Sequence, residues 1–289
     1  MNNRFYKDSV IKGLRKLAGR ANHVVIPKGR IFQLRAYEES VTGSLSMLTD
    51  AVLNDCAQHN VGTEEWKSGI LDELRFWWNI LAKRTRSPEK AVFLEKFLLK
   101  HDFAYGDQLD GGPRDIEVLD IGCALFPAIG RNFGNQTVHV TAADPLATGY
   151  NRLMDLFGIE RQYNLVFGVA EQTATIFGED RFDFILAQNS IDHSYDPASA
   201  FDQICKALRS GGAAQFEHYS NEAENQNYHG FHKWNLEPHS EGCIRIWNLQ
   251  NDVLFDFSEH GCEAKIHTYK RKKHSGAEVE AFQVRVKKA

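Results

Sequence analysis

The sequence predicts an α/β protein: a seven-stranded, mostly parallel sheet with a C-terminal antiparallel hairpin, preceded by a helical N-terminal subdomain. Three observations carry this expectation. Residues 1–110 place apolar side chains at helical spacing, short apolar strands alternate with helices from Asp115 onward, and two β-patterned segments flank a basic turn near the last residues. Alternation of that kind implies βαβ units, with helices covering both faces of a parallel sheet.

In the first part, a helix is expected near Leu45 to Ala57. The segment SGILDELRFWWNILAK puts Ile70, Leu74, Trp77, Trp78 and Leu81 on one helical face. The Trp77, Trp78 pair reads as core or domain interface. Ser87 followed by Pro88 reads as the N-cap and first residue of a further helix, whose apolar face holds Phe93, Leu94, Phe97 and Leu98. The turn-rich DQLDGGP, Asp107 to Pro113, marks a boundary between a helical subdomain at 1–110 and a second domain at 111–289.

In the second part the strands are Glu117 to Asp120, Val138 to Ala142, Asn164 to Phe167, Phe182 to Ala187 and Ala213 to His218. Helices are expected at Ala147 to Phe157 and Pro197 to Leu208. A polar, His-rich stretch at 221–248 reads as an inserted loop or lid, and Asp252 to His260 as a short helix. Ala264 to Tyr269 and Val279 to Val286 then pair as the hairpin. Ligands of such sheets bind outside the carboxyl ends of the strands, at the switch in strand order.

Bulk properties exclude several classes. With 289 residues, 43% hydrophobic and 25% charged, the chain can bury a sizeable core. A net charge of -4 gives no global field to attract nucleic acid. No apolar run approaches the ~20 residues of a membrane span, and the first residues lack a signal-type core. Cys56, Cys123, Cys205, Cys243 and Cys262 are scattered and form no CxxC pair, which argues against a disulfide framework or a zinc site. A cytoplasmic protein is expected.

The loop EVLDIGCALFPAIG sits where a dinucleotide fingerprint would carry three glycines, but its slots hold Gly122, Ala124 and Pro127. A cofactor without phosphate asks less of such a loop. VLDIGCALFPAIG, then VTAADP with Asp144 ending a strand 22 residues after Gly122, GVAEQ, FDFILAQNSIDHSYDP and KALRSGGAAQFEHYS follow one another in order. In this set the chain resembles the class I S-adenosylmethionine (SAM)-dependent methyltransferases over about residues 114 to 220. The resemblance implies a Rossmann-like fold with SAM as cofactor. It implies Asp120, Gly122 and Ala124 near the methionine part, Asp144 on the ribose hydroxyls, Ala170 and Glu171 near the adenine, and Gln188 and Asn189 lining the cofactor.

An alcohol acceptor must lose a proton, and a neutral His is the side chain best matched to that task at neutral pH. His193 with Asp192 follows the fourth strand and His218 ends the fifth, so neighbouring strands bring these candidates together. Each His also has an ordinary reading as a hydrogen-bonded side chain near the sheet edge. NYHGFHKWNLEPHSEG offers Tyr228, His229, His232 and Trp234, aromatic and polar groups suited to a sugar-like acceptor. His218, Glu222, His229, His232 and His239 could together suit a divalent ion, but their spacing matches no standard zinc motif and no metal is expected.

The leading expectation is therefore an O-methyltransferase acting on a small polar molecule or glycan precursor. An RNA or protein methyltransferase is the rival enzyme, resting on the basic run Lys270, Arg271, Lys272 and Lys273. A non-catalytic SAM-binding or assembly module, docking or self-associating through its N-terminal helices, is the rival from another class.

Overall fold

The computed structural model describes residues 28–109, 115–272, 276 and 278–289. The boundary residues 110–114, Lys273 of the basic run and the helical subdomain before residue 28 lie outside these. Contacts group the chain into two units, residues 1–44 and 45–289. All that follows on the site concerns the second.

Helix α1 spans Lys28–Gln58 and includes the helix expected at 45–57. Thr63 caps α2 (Glu64–Lys67) by accepting the Trp66 N–H at 3.1 Å. In α3 (Ile70–Arg84) the face expected from the sequence is buried at Ile70, Leu74 and Leu81. Trp77 and Trp78 lie at its margins, edge-on to Tyr150 and Phe157 respectively. Ser87 is not an N-cap. Its hydroxyl donates to the Arg84 carbonyl at 3.0 Å, closing the turn after α3, and α4 (Lys90–Glu95) starts later without a side-chain cap.

Then follow β1 (Ile116–Ile121), β2 (Asn132–Phe133), β3 (Gln136–Asp144), α5 (Ala147–Leu156), β4 (Val166–Phe167) and α6 (Thr173–Phe177). After them come β5 (Phe182–Gln188), α7 (Pro197–Ala207), β6 (Leu208–Tyr219), α8 (Glu222–Asn225), β7 (Asn235–Ser240) and β8 (Cys243–Trp247). The described chain closes with β9 (Asp252–Asp256), β10 (Cys262–Lys272) and β11 (Glu278–Lys288).

The main sheet runs β10-β11-β6-β5-β1-β3, with β4 and the two-residue β2 both on β3. β6, β5, β1, β3 and β4 are parallel, while β11 runs antiparallel between β6 and β10. This is the Rossmann-like sheet with its expected closing hairpin. From β1 the chain passes to β3 and β4 on one side and returns to β5 and β6 on the other. The loops after β1 and β5 thus part at a switch point, which opens a crevice there.

Burial explains why these strands read as continuous apolar runs: β5 buries all but its last residue, as a strand covered on both faces must. Asp196 caps α7, with Pro197 at its start, and the helix presses Ala200, Phe201 and Ile204 onto the sheet. Each such fully buried large side chain contributes roughly 1.5–3 kcal/mol.

The segment expected as helix at 252–260 is instead β9 followed by a 3-10 turn, Phe257–His260. Strand β8 supplies the partner: Arg245 grips Asp252 through two bonds of 2.9 and 2.7 Å across the pair. Alternation then sends Phe255 and Phe257 into the core. The stretch at 221–248, expected as an inserted loop or lid, carries α8, β7 and β8, and its two strands belong to a second, three-stranded antiparallel sheet.

Candidate functional site

A cleft of about 720 Å³ opens above the carboxyl ends of β1, β3 and β5. Its floor begins at Gly122, whose φ is +70° and whose missing side chain leaves room for Ser190. A Cβ at Gly122 would lie 2.5 Å from the Ser190 Cβ. Glycine is therefore required here twice over, by dihedral and by space. Ala124 also adopts a left-handed backbone, φ +54°, in the slot that a dinucleotide loop gives to glycine.

The loop is held by carboxylates. Asp120 accepts the Ala128 N–H at 2.6 Å, and Asp144 accepts Ala124 N–H at 2.9 Å and Leu146 N–H at 2.8 Å. Both acids line the cleft, and burial pushes each carboxyl up to about 7 against the lowering effect of those hydrogen bonds. Glu171, likewise raised to about 7 by burial, accepts the N–H groups of Tyr195 and Asp196 and so fixes the loop after β5.

Gln188 donates to Glu217 at 2.8 Å, and Asn189, at φ +51°, donates its backbone N–H to the Glu217 carbonyl. The Asn189 Oδ1 is buried, lines the cleft and has no hydrogen-bond partner among the described residues. Ala170 lies beside it on the cleft wall. All eight residues expected to hold the cofactor thus line one cleft.

The expected catalytic residues divide. Asp192 is buried, with its Oδ2 2.8 Å from His232 Nδ1 and 3.7 Å from His193 Nε2, and the two imidazole nitrogens are 3.2 Å apart. His193 and His232 face the cleft. Burial opposes ionisation of Asp192, but His193, His232 and His218 together hold its carboxyl below the usual range. For His232 burial works against protonation, yet the bond to Asp192 and the acids nearby leave it raised. His218 lies behind Asp192, its Nδ1 3.8 Å from Oδ1, and neither of its ring nitrogens has a partner among the described residues. Burial lowers it to about 4, so it is a neutral imidazole in the interior and does not line the cleft.

Of the expected acceptor residues, His229 and His232 line the cleft. Tyr228 accepts the Asn235 side-chain N–H at 3.1 Å, and Trp234 packs against the core. Neither lines the cleft.

The helical N-terminal part was expected from the sequence to help wall the acceptor site, but the residues that line the cleft from it were not named. Trp66 donates its Nε1–H to the His193 carbonyl at 2.7 Å and stacks on Phe231 at 4.8 Å. Glu73 accepts from Trp77 at 2.8 Å and from the Tyr150 hydroxyl at 3.5 Å. A Cβ on Gly69 would meet the Phe231 ring at 2.7 Å, so helix and loop touch as closely as backbone allows. One signal was available: Thr63 is an N-cap residue type three positions before Trp66, and it marks the start of the short helix that carries the indole.

Asp72, Glu73, Asp120, Asp144, Glu171 and Glu222 bring carboxyl groups to this cleft, against a single guanidinium, Arg75, which pairs with Asp72 at 3.3 Å. A buried carboxylate without a counter-charge is costly, and the unpaired Asn189 oxygen calls for a donor. The chemistry fits a cationic ligand bearing N–H and O–H groups and no phosphate, as SAM is. Asp120, Asp144, Gly122 and Asn189 are the residues placed to hold it.

A sequence model described as "Methyltransferase domain" matches residues 93–262, more than half of the chain. No curated protein matches it. Among solved structures, a SAM-dependent methyltransferase from Methanosarcina mazei is 16% identical over 65% of this chain and 98% of its own, with a TM-score of 0.40. A possible histamine N-methyltransferase from Thermotoga maritima is 16% identical over 73% and 100%, TM-score 0.38. The 1,6-didemethyltoxoflavin-N1-methyltransferase of Burkholderia thailandensis, solved with S-adenosylhomocysteine, is 15% identical over 61% and 72%, TM-score 0.36. At these scores the pairs carry no argument about the acceptor, and the assignment rests on the family match and the ordered motifs. The chain belongs to the methyltransferase domain family, as a class I SAM-dependent enzyme.

Proposed function

We propose that this enzyme methylates a hydroxyl oxygen of a small polar acceptor, such as a sugar or glycan precursor. The observation that carries the reading is the 2.8 Å bond from His232 to buried Asp192 at the wall of the cofactor cleft. A carboxylate behind an imidazole fixes its tautomer and orientation, the arrangement that lets an imidazole accept a proton from a hydroxyl. SAM, when bound, supplies an electrophilic methyl on a sulfonium.

The remaining work is done by the protein. Gly122 would let the loop close on SAM, Asp120 and Asp144 would offset its positive charge, Asp144 would hold the ribose hydroxyls and Glu171 would shape the adenine end. His193 and His229 meet the acceptor beside His232. Tyr228 and Trp234 act at one remove, bracing the stretch at 221–248 that carries Phe231 and His232. On this reading the helices of residues 64–84 wall the acceptor side through Trp66, Glu73 and Trp77, while the second domain holds the cofactor. Five free thiols support a reducing, cytoplasmic setting.

The test is a set of sugars and other polyols offered as acceptors, with His232→Ala measured against the unaltered protein. A fall in kcat of about 10²–10⁴-fold with SAM affinity retained is expected. Transfer only to amines, or unchanged kcat in the variant, would overturn the assignment.

A further inference from the structure

Three ligating atoms converge at the cleft wall in a way that one proton cannot satisfy. Asp192 Oδ2, His232 Nδ1 and His193 Nε2 stand 2.8, 3.2 and 3.7 Å from one another, pair by pair. A hydrogen on His232 Nδ1 points either at the carboxylate or at the other ring. Two contacts thus compete for the one hydrogen that atom can carry. A cation held about 2.1 Å from each atom resolves this, because donors around such an ion sit at separations of this size.

The surroundings support the point. Asp192 is 2% exposed, and its other oxygen, Oδ1, is buried without a hydrogen-bond partner among the described residues. On that side His218 Nδ1 stands 3.8 Å away, beyond hydrogen-bond distance. The Trp66 bond to the His193 carbonyl and the Trp66–Phe231 stack hold the segments that deliver the two imidazoles. The ligand atoms are therefore carried on ordered elements, and two of the three residues open onto solvent in the cleft.

We propose that Asp192, His193 and His232 form a binding site for a divalent first-row transition cation such as Zn²⁺ or Mn²⁺. Two imidazoles and one carboxylate suit these ions, whereas Mg²⁺ and Ca²⁺ prefer all-oxygen sets. Three protein ligands leave coordination positions open toward the cleft, as sites that act on bound molecules require. Resting on the acceptor assignment above, those positions would take the acceptor's oxygen atoms, and the ion would then replace free imidazole as the group that meets the hydroxyl.

The experiment needs neither SAM nor acceptor, so it stands apart from the assignment of the reaction. The full chain, stripped with a chelator, is titrated with Zn²⁺ and separately with Mn²⁺ by calorimetry, and bound metal is counted by elemental analysis. Co²⁺ loading gives a visible spectrum that reports imidazole ligation. One ion per chain is expected, with affinity at least about 100-fold weaker in His193→Ala and in His232→Ala, and unchanged in His267→Ala on the distant strand β10. Circular dichroism and thermal melts of both variants show that they remain folded. Absence of stoichiometric binding to the stripped protein, or an affinity in either variant equal to that of the unaltered protein, would overturn the proposal and leave the imidazole to act alone.

Discussion

Gly122 and Ser190 meet across the switch point so closely that a Cβ on the glycine would stand 2.5 Å from the serine Cβ. The contact joins the loop after β1 to the loop after β5. Gly122→Ala is expected to lose about 1–2 kcal/mol from its left-handed backbone alone, with more from the clash, and to weaken SAM binding strongly. Because the offending atom is the serine Cβ, Ser190→Ala would not relieve it but Ser190→Gly would. Thermal melts and SAM titrations of the single and double variants check this, and partial rescue by Ser190→Gly is the deciding result.

Ala124 should behave in the opposite way. It already holds φ at +54°, so Ala124→Gly removes a left-handed penalty of about 1–2 kcal/mol and adds chain entropy worth roughly 0.5–1 kcal/mol. The variant is expected to melt at or slightly above the temperature of the unaltered protein. A clear loss of stability would mean that the alanine methyl is itself needed in the loop.

Asp120 and Asp144 give the protein a pH dependence of definite sign. Burial raises both carboxyls from the usual acid range to about 7. In the ligand-free protein their contribution to stability is therefore full below about pH 4 and is lost as pH rises through 7. A cationic ligand favours the ionised forms, so SAM affinity is expected to fall as pH drops from 8 to 6, with protons released on binding. Titrations in buffers of different ionisation enthalpy measure that release. Asp144→Asn should flatten the profile while weakening SAM binding.

Trp66→Phe keeps the stack on Phe231 but deletes the donor to the His193 carbonyl. The lost bond is worth about 0.5–1.5 kcal/mol of stability. Turnover should fall further than stability suggests, since the carbonyl belongs to a residue of the reactive cluster. SAM affinity should hardly change. Steady-state kinetics beside a SAM titration separate the two effects.

The sheet was legible because strands covered on both faces are mostly apolar, and β1 and β5 carry that pattern with only Glu117, Asp120, Asp183 and Gln188 breaking it. Gly122 was legible because a backbone requirement shows as a residue type. His218 misled for a physical reason: a strand end near a cleft sends alternate side chains to opposite faces, and this one turns inward beside Phe282. The partnership of Asp192 with His232 was hidden because the two lie 40 residues apart and meet only through the path of α8 and the loop after it. Asp252 to His260 looked helical because its period is short, and only the presence of β8 as a partner decides for a strand. Trp77 read as core or domain interface, and Trp66 and Glu73 did not stand out, since spacing along a helix does not say whether its face meets core or cavity.

The close approach of Gly69 to Phe231 gives the cleft a gauge for molecular size. Any side chain at Gly69 would strike a ring only 2.7 Å away, and that ring precedes His232 in the chain. A methyl group added there acts as a wedge, prising the aromatic ring and its neighbour away from the helix. Conversely, trimming Phe231 to a smaller side chain would open a hole against the glycine without disturbing the helix. The pair is thus a natural place for bump-and-hole engineering, where a reshaped enzyme is matched to an enlarged acceptor that the unaltered one refuses.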